Sequence, residues 1–264
     1  TRVRHHQAGP KVSVISVSGL VLFMLTSLLV GLRVLALWWR TRKLPELLLA
    51  VAMLCVGFLA YAVGTAGKLF VEGTVEQREV LTMIGLSIEC IGDVALIAFS
   101  WRVFRPREAW AGALAGTLTA LIALAFVGEA LSGELLRYSD LAPITGPYVP
   151  LALAARGAAP TWMAIECLRL HHNLRLRQRI GLAQPLVVNR VALWGIGIGS
   201  SSLGFSVSIV HRLVYGTGLR AHVWALSTVS LLATISALCI GLAFFPPPAY
   251  RRWVEGRPHG PPRA

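Results

Sequence analysis

Two carboxylates four residues apart, Glu89 and Asp93, stand inside the hydrophobic run Val80–Phe104. A spacing of four puts both on one face of a helix, one turn apart. Glu89 lies ten residues into the run, near the middle of any bilayer that the run crosses. An ionisable side chain at that depth costs at least ~2.5 kcal/mol, so it faces a partner, a bundle interior or a water-filled cavity. Such a pair could hold a ligand or an ion, or carry a proton. The plainer alternative is a structural polar network. Arg156 stands nine residues from the outer end of its own run, at a depth matching that of Glu89. A Glu89–Arg156 ion pair is therefore expected. Tyr61, Pro160 and Trp162 could join Glu89 and Arg156 in one outward-opening pocket, an aromatic wall with a few convergent polar groups.

A second polar set falls within one or two turns of the opposite ends of its runs: Arg33, Glu166, Asn189 and Arg190. The expected contact there is Glu166 with Arg190, read as a helix-locking ion pair, with a gating or proton-coupled switch as the alternative. A third feature is the stretch Gly195, Gly197, Gly199, Ser200, Ser201, Ser202 and Gly204. Small residues at helical spacing let helices approach closely; the same residues would thin a cavity wall and offer hydroxyls to it. The stretch is no phosphate loop, because the lysine and the strand–turn–helix setting are missing. A catalytic serine in this stretch would want an acid or histidine beside it to act as base. No histidine lies at mid-run, which argues against a b-type haem. His171-His172, and His211 with His222, are weak metal candidates, and no metal is expected. Cys55, Cys90, Cys167 and Cys239 all lie in apolar runs and read as packing residues.

The elements that must position these groups are hydrophobic helices. Hydrophobic residues make up 55% of the 264 residues and charged ones 14%, against roughly 25% charged in a soluble domain. The fold class expected is an all-α, polytopic membrane protein, a seven-transmembrane-helix bundle forming a single domain over 1–264. The spans are about Ile15–Trp39, Pro45–Ala66, Val80–Phe104, Trp110–Leu131, Tyr148–Leu170, Pro185–Val210 and His222–Phe245. Lys68 to Glu79 and Ser132–Pro147 read as loops, Arg169 to Arg179 as a basic connection, and the residues after Pro246-Pro247-Pro248 as a short basic tail. Pro160 should bend the fifth span. The segments after spans one, three, five and seven hold fourteen Lys/Arg against eight in the others. The positive-inside rule then puts the N-terminus outside and the C-terminus inside. An integral protein of a plasma or bacterial inner membrane is expected.

Several residues recur at an offset of 140: Pro45 with Pro185, Pro106 with Pro246, Gly57 with Gly197, and Gly64 with Gly204. A parallel repeat would relate 15–106 to 148–246, with 110–131 as linker; coincidence in apolar sequence is the alternative. Glu89 and Asp93 are not repeated.

Seven spans with an outside N-terminus resemble the broad class of seven-helix receptors and microbial rhodopsins in span pattern alone. Span seven contains no lysine, so retinal in its usual linkage is excluded, and no cofactor is expected. Span three ends Trp101-Arg102-Val103, without the acidic–arginine–aromatic triplet of receptors. The proline–glutamine signature of small sugar and amino-acid carriers is absent. No family is named on these residues.

The net charge of +13 collects at span ends, where anionic headgroups account for it, so membrane lipids rather than nucleic acid are the expected partners. Arg102, Arg105, Arg107, Arg169, Arg175, Arg177 and Arg179 would form an inner surface that could dock a cytoplasmic protein; oligomers are compatible with the sequence. The first functional expectation is a small-molecule or lipid sensor with an intramembrane cavity. The second is a proton- or ion-coupled transporter, and the third a membrane-embedded lipid enzyme.

Overall fold

The structure is a computed structural model that describes residues 14–69, 75–132, 146–216, 219 and 222–256. The described residues are helical apart from short connections, with no strand among them. Helix α1 (Val14–Thr41) is an apolar run without proline. It stops where Arg42 takes a left-handed conformation, φ 56°, and donates its N–H to the Trp38 carbonyl at 2.7 Å. The Arg42 guanidinium lies 4.5 Å from the Trp39 ring. Pro45 then sits in the first turn of α2 (Leu44–Leu54), where its missing N–H costs nothing.

The second span is not one regular helix. A π-helical turn, Cys55–Leu59, separates α2 from α3 (Ala60–Leu69). The turn is held on both sides by close backbone approach. Gly57 meets Ser27 of α1. On α4 (Val75–Phe104), a Cβ at Gly92 would come within 2.6 Å of Val56 Cγ2 and 2.9 Å of the Val56 backbone nitrogen. A Cβ on Gly64, further along the same span, would meet nothing within 4 Å.

Helix α5 spans Ala109–Ser132 and α6 spans Tyr148–Arg179. At 32 residues, α6 is about 48 Å long at the usual rise. The basic connection expected from Arg169 is therefore helical as far as Arg179. Nothing between Thr161 and Arg179 breaks a helix, and the chain turns only at Gly181, φ 77°. Helices α7 (Pro185–Tyr215) and α8 (Val223–Phe244) follow. The expected basic tail forms another helix, α9 (Pro248–Glu255), which starts on a proline and packs on α7. Val75–Glu79, read from the sequence as loop, begins α4, while 70–74 and 133–145 lie outside the described residues.

Six of these segments are long and apolar enough to cross a membrane: Ser18–Thr41, Leu44–Gly64, Val80–Phe104, Ala109–Ser132, Pro185–Tyr215 and Val223–Phe244. The chain is thus a helical bundle of integral-membrane character. Helices α1, α2–α3, α4, α6, α7 and α8 form a closed ring, each packed on the next. Helix α5 stands outside the ring, packed on the backs of α4 and α6. This arrangement makes two interiors, one inside the ring and one in the three-helix corner of α4, α5 and α6.

Candidate functional site

Inside the ring is a cavity of about 320 Å³, within the range of small-molecule sites. Its wall is mostly apolar, from side chains such as Leu49, Leu96, Met163 and Phe205. The polar exceptions are hydroxyls, among them Tyr61, Ser200 and Ser201, and one carboxylate, Asp93. Asp93 is 1% exposed, and its Oδ2 has no hydrogen-bond partner among the described residues. An acceptor left in that state costs roughly 1–3 kcal/mol, more when charged. Tyr61 packs edge-on against Phe23, ring centroids 6.2 Å apart.

The glycine–serine stretch of α7 divides between the two uses expected for it. Gly197 serves close packing: a Cβ there would reach Ile240 Cγ1 at 2.9 Å and the Ser236 carbonyl at 3.2 Å. Ser200, Ser201 and Gly204 line the cavity. Ser200 donates back to the Ile196 carbonyl at 2.9 Å, and Ser201 lies 2.9 Å from Ser236 across the α7–α8 contact. Ser202 turns to Thr161 of α6, with which it shares a short hydrogen bond.

The second interior holds the ion pairs. Arg156 is 4% exposed and reaches Glu89 of α4 at 3.5 Å and Glu129 of α5 at 3.9 Å. It also donates to Cys90 Sγ at 3.6 Å. The expected Glu89–Arg156 contact is present, joined by a residue that the sequence did not single out. Glu129 stands close to the end of its span, yet it is 2% exposed because α5 turns it into the corner. Its being the lone charge of that span was the available signal. Pro160 lies one turn beyond Arg156 and has no N–H for the Arg156 carbonyl, so the ladder is interrupted beside the charge. Trp162 is buried here as well, in a cluster with Ile97, Ala115, Ile122 and Ala159, its ring 6.4 Å from that of Trp110.

The single outward-opening pocket expected from Tyr61, Glu89, Arg156, Pro160 and Trp162 is therefore divided. Tyr61 and Pro160 line the central cavity with Asp93, whereas Glu89, Arg156 and Trp162 belong to the corner outside it. The physical reason is helix rotation. Glu89 and Asp93 are one turn apart on α4, but the face they share meets the seam between the two interiors.

At the opposite end of the bundle, the expected Glu166–Arg190 pair does not form. Glu166, 3% exposed, accepts two hydrogen bonds from Arg105, both 3.1 Å, and a third from Arg169 at 3.3 Å. Arg105 follows the last turn of α4, and its side chain reaches α6 before α7 can. Hydrogen bonding to Glu166, and then the carboxylate's charge, raises the Arg105 guanidinium above its ordinary pKa. Arg105 and Arg169, two of the basic residues expected on the inner surface, thus pair with Glu166 while their side chains remain 31% and 59% exposed. Arg190 instead lines a groove with Arg33, and Asn189 makes a short hydrogen bond to Tyr250 of α9. The Arg33 guanidinium lies 4.8 Å from the Phe245 ring.

His211 and His222 do meet, Nε2 to Nδ1 at 2.9 Å, within a cluster that includes Tyr215 and Trp224. One nitrogen must donate to the other, so this is a hydrogen bond between rings and not a shared ligand position. Among the described residues no group of three or more His, Cys, Asp or Glu is placed to hold a metal ion. Comparison with family models, with curated proteins and with solved structures finds no match for this chain.

Proposed function

We propose that this chain is a seven-helix membrane protein that binds a small apolar molecule in its central cavity, as a sensor or receptor. The ligand class is an apolar body carrying one amine or hydroxyl group. The observation that carries the reading is Asp93: a buried carboxylate in the wall of a cavity of about 320 Å³, with an oxygen that has no hydrogen-bond partner among the described residues. An N–H or O–H from a ligand would supply the missing partner, while Ser200 and Ser201 offer further hydroxyls.

In this reading α6 also crosses the membrane, as the fifth of seven spans. Its Arg156 and Glu166 lower its apolarity, and both are paired against neighbouring helices. The N-terminus lies outside and the C-terminus inside, in line with the excess of Lys/Arg after alternate spans.

The test is a thermal-shift titration of the purified protein with 1-aminoadamantane and straight-chain alkylamines. Wild type should show a saturable rise worth about 2.7 kcal/mol at a hundredfold excess over Kd. The rise should vanish in Asp93→Asn and in Ser200→Phe, which fills the cavity. Equal shifts in all three proteins would sink the reading.

A second reading, a proton-coupled carrier, draws on the three carboxyl groups of Glu89, Asp93 and Glu129 close to one guanidinium. Such a set can take up a proton and keep its cation. Amine uptake into proteoliposomes driven by a pH gradient, and lost in Asp93→Asn and Glu89→Gln, would favour the carrier. Saturable binding without flux would favour the sensor.

A further inference from the structure

The basic end of the bundle carries a second concavity, a groove of about 670 Å³ between α1 and α7, floored by the end of α8. Its composition is one-sided in charge. Arg33, Arg40 and Arg190 line it, no carboxylate does, and the remaining lining is apolar. Arg33 and Arg40 are seven residues apart on α1, so they share a face, with Ala36 and Leu37 between them.

None of the three arginines makes an ion pair among the described residues, although Glu166 one helix away is ligated by two others. Arg190 is the most telling: its Nε is buried and has no hydrogen-bond partner among the described residues. A guanidinium fork with an unused donor, beside two further cations and above an apolar floor, matches an amphiphile with an anionic oxygen-rich head. Arginine recognises phosphate through such paired donors. Leu37, Val187, Val191 and Phe244 supply the apolar part of the lining beside these arginines, and an acyl chain would lie against it.

We propose that this groove is a binding site for an anionic phospholipid, its phosphate held by Arg33, Arg40 and Arg190 and one acyl chain laid along α7 and α8. Basic pockets between membrane helices hold headgroups in this way.

Native mass spectrometry of the full chain, delipidated and then titrated with dioleoyl phosphatidylglycerol or dioleoyl phosphatidylcholine, tests it. Wild type should prefer phosphatidylglycerol. The preference should fall roughly fivefold for each arginine replaced and about twenty-five-fold in the double variant Arg33→Gln/Arg190→Gln. Because that variant could misfold, Val187→Trp provides a second arm: it blocks the apolar wall, leaves every charge in place, and should lower retention of both lipids. Inorganic phosphate at millimolar concentration should compete weakly; full displacement would mean that the site takes free phosphate and not lipid. Equal retention of the two lipids by wild type, or an unchanged preference in the double variant, would overturn the proposal.

Discussion

Helix α4 places two carboxylates one turn apart in opposite circumstances. Glu89 enters the corner between α4, α5 and α6, where Arg156 meets it and Glu129. Asp93 enters the ring, where its Oδ2 has no hydrogen-bond partner among the described residues. The corner is filled: Ile97, Ala111, Ala115, Ile122 and Ala159 interlock within it. The ring encloses space. A polar group in a packed corner is spent on holding helices together, whereas one facing space is available to a visitor. The difference separates structural acid from candidate binding acid, although residue type and depth are nearly the same.

The most severe way to break the comparison is Arg156→Met. It leaves Glu89 and Glu129 without their cation and should cost about 3–5 kcal/mol, read as a large fall in Tm. Replacing Glu129 by Gln at the same time should recover part of the loss; if it does not, the corner is held by packing alone. Next comes Gly128→Ala on α5. A Cβ there would press into the Tyr148 ring, with Cγ at 2.7 Å, and overpacking should cost about 1–3 kcal/mol.

The ring should respond in the opposite sense. Gly204→Ala on α7 places its methyl where nothing lies within 4 Å, and should stabilise by up to about 1 kcal/mol through helix propensity. Asp93→Asn should move stability least, within about 1 kcal/mol, the worth of an ordinary hydrogen bond, yet abolish the response to amines. A loss as large as that of Arg156→Met would mean that Asp93 is structural after all.

Much of the bundle was legible because bilayer thickness demands long apolar runs, and this chain supplies them between charged clusters. The depth of Glu89 and Arg156 could be counted from the ends of their runs, which brought the pair within reach. Rotation about the helix axis could not be counted. That is why Trp162 was expected beside Tyr61 and lies instead in the corner, and why Glu129 was passed over. The choice of Arg105 over Arg190 for Glu166 depends on which helices are neighbours, information carried by long-range packing. The π-helical turn at Cys55–Leu59 left no distinctive residue pattern; Gly57 and Gly92 explain how it is accommodated, not that it would occur. Helix α9 was more readable than the tail assigned to it, since Pro248 can start a helix and Tyr250, Trp253 and Val254 fall on one side of it.

Trp194 and Phe244 have a double position, bordering both the central cavity and the arginine-lined groove, with ring centroids 5.4 Å apart. The partition between the two spaces is thus one layer of side chains thick. A path from the groove to the cavity that Asp93 lines would run past those two rings. For a molecule using that path, the concentration that matters is the one dissolved in the membrane. Partitioning would then enrich oily ligands ahead of the binding step, and a modest intrinsic affinity at Asp93 would suffice for occupancy at trace aqueous levels.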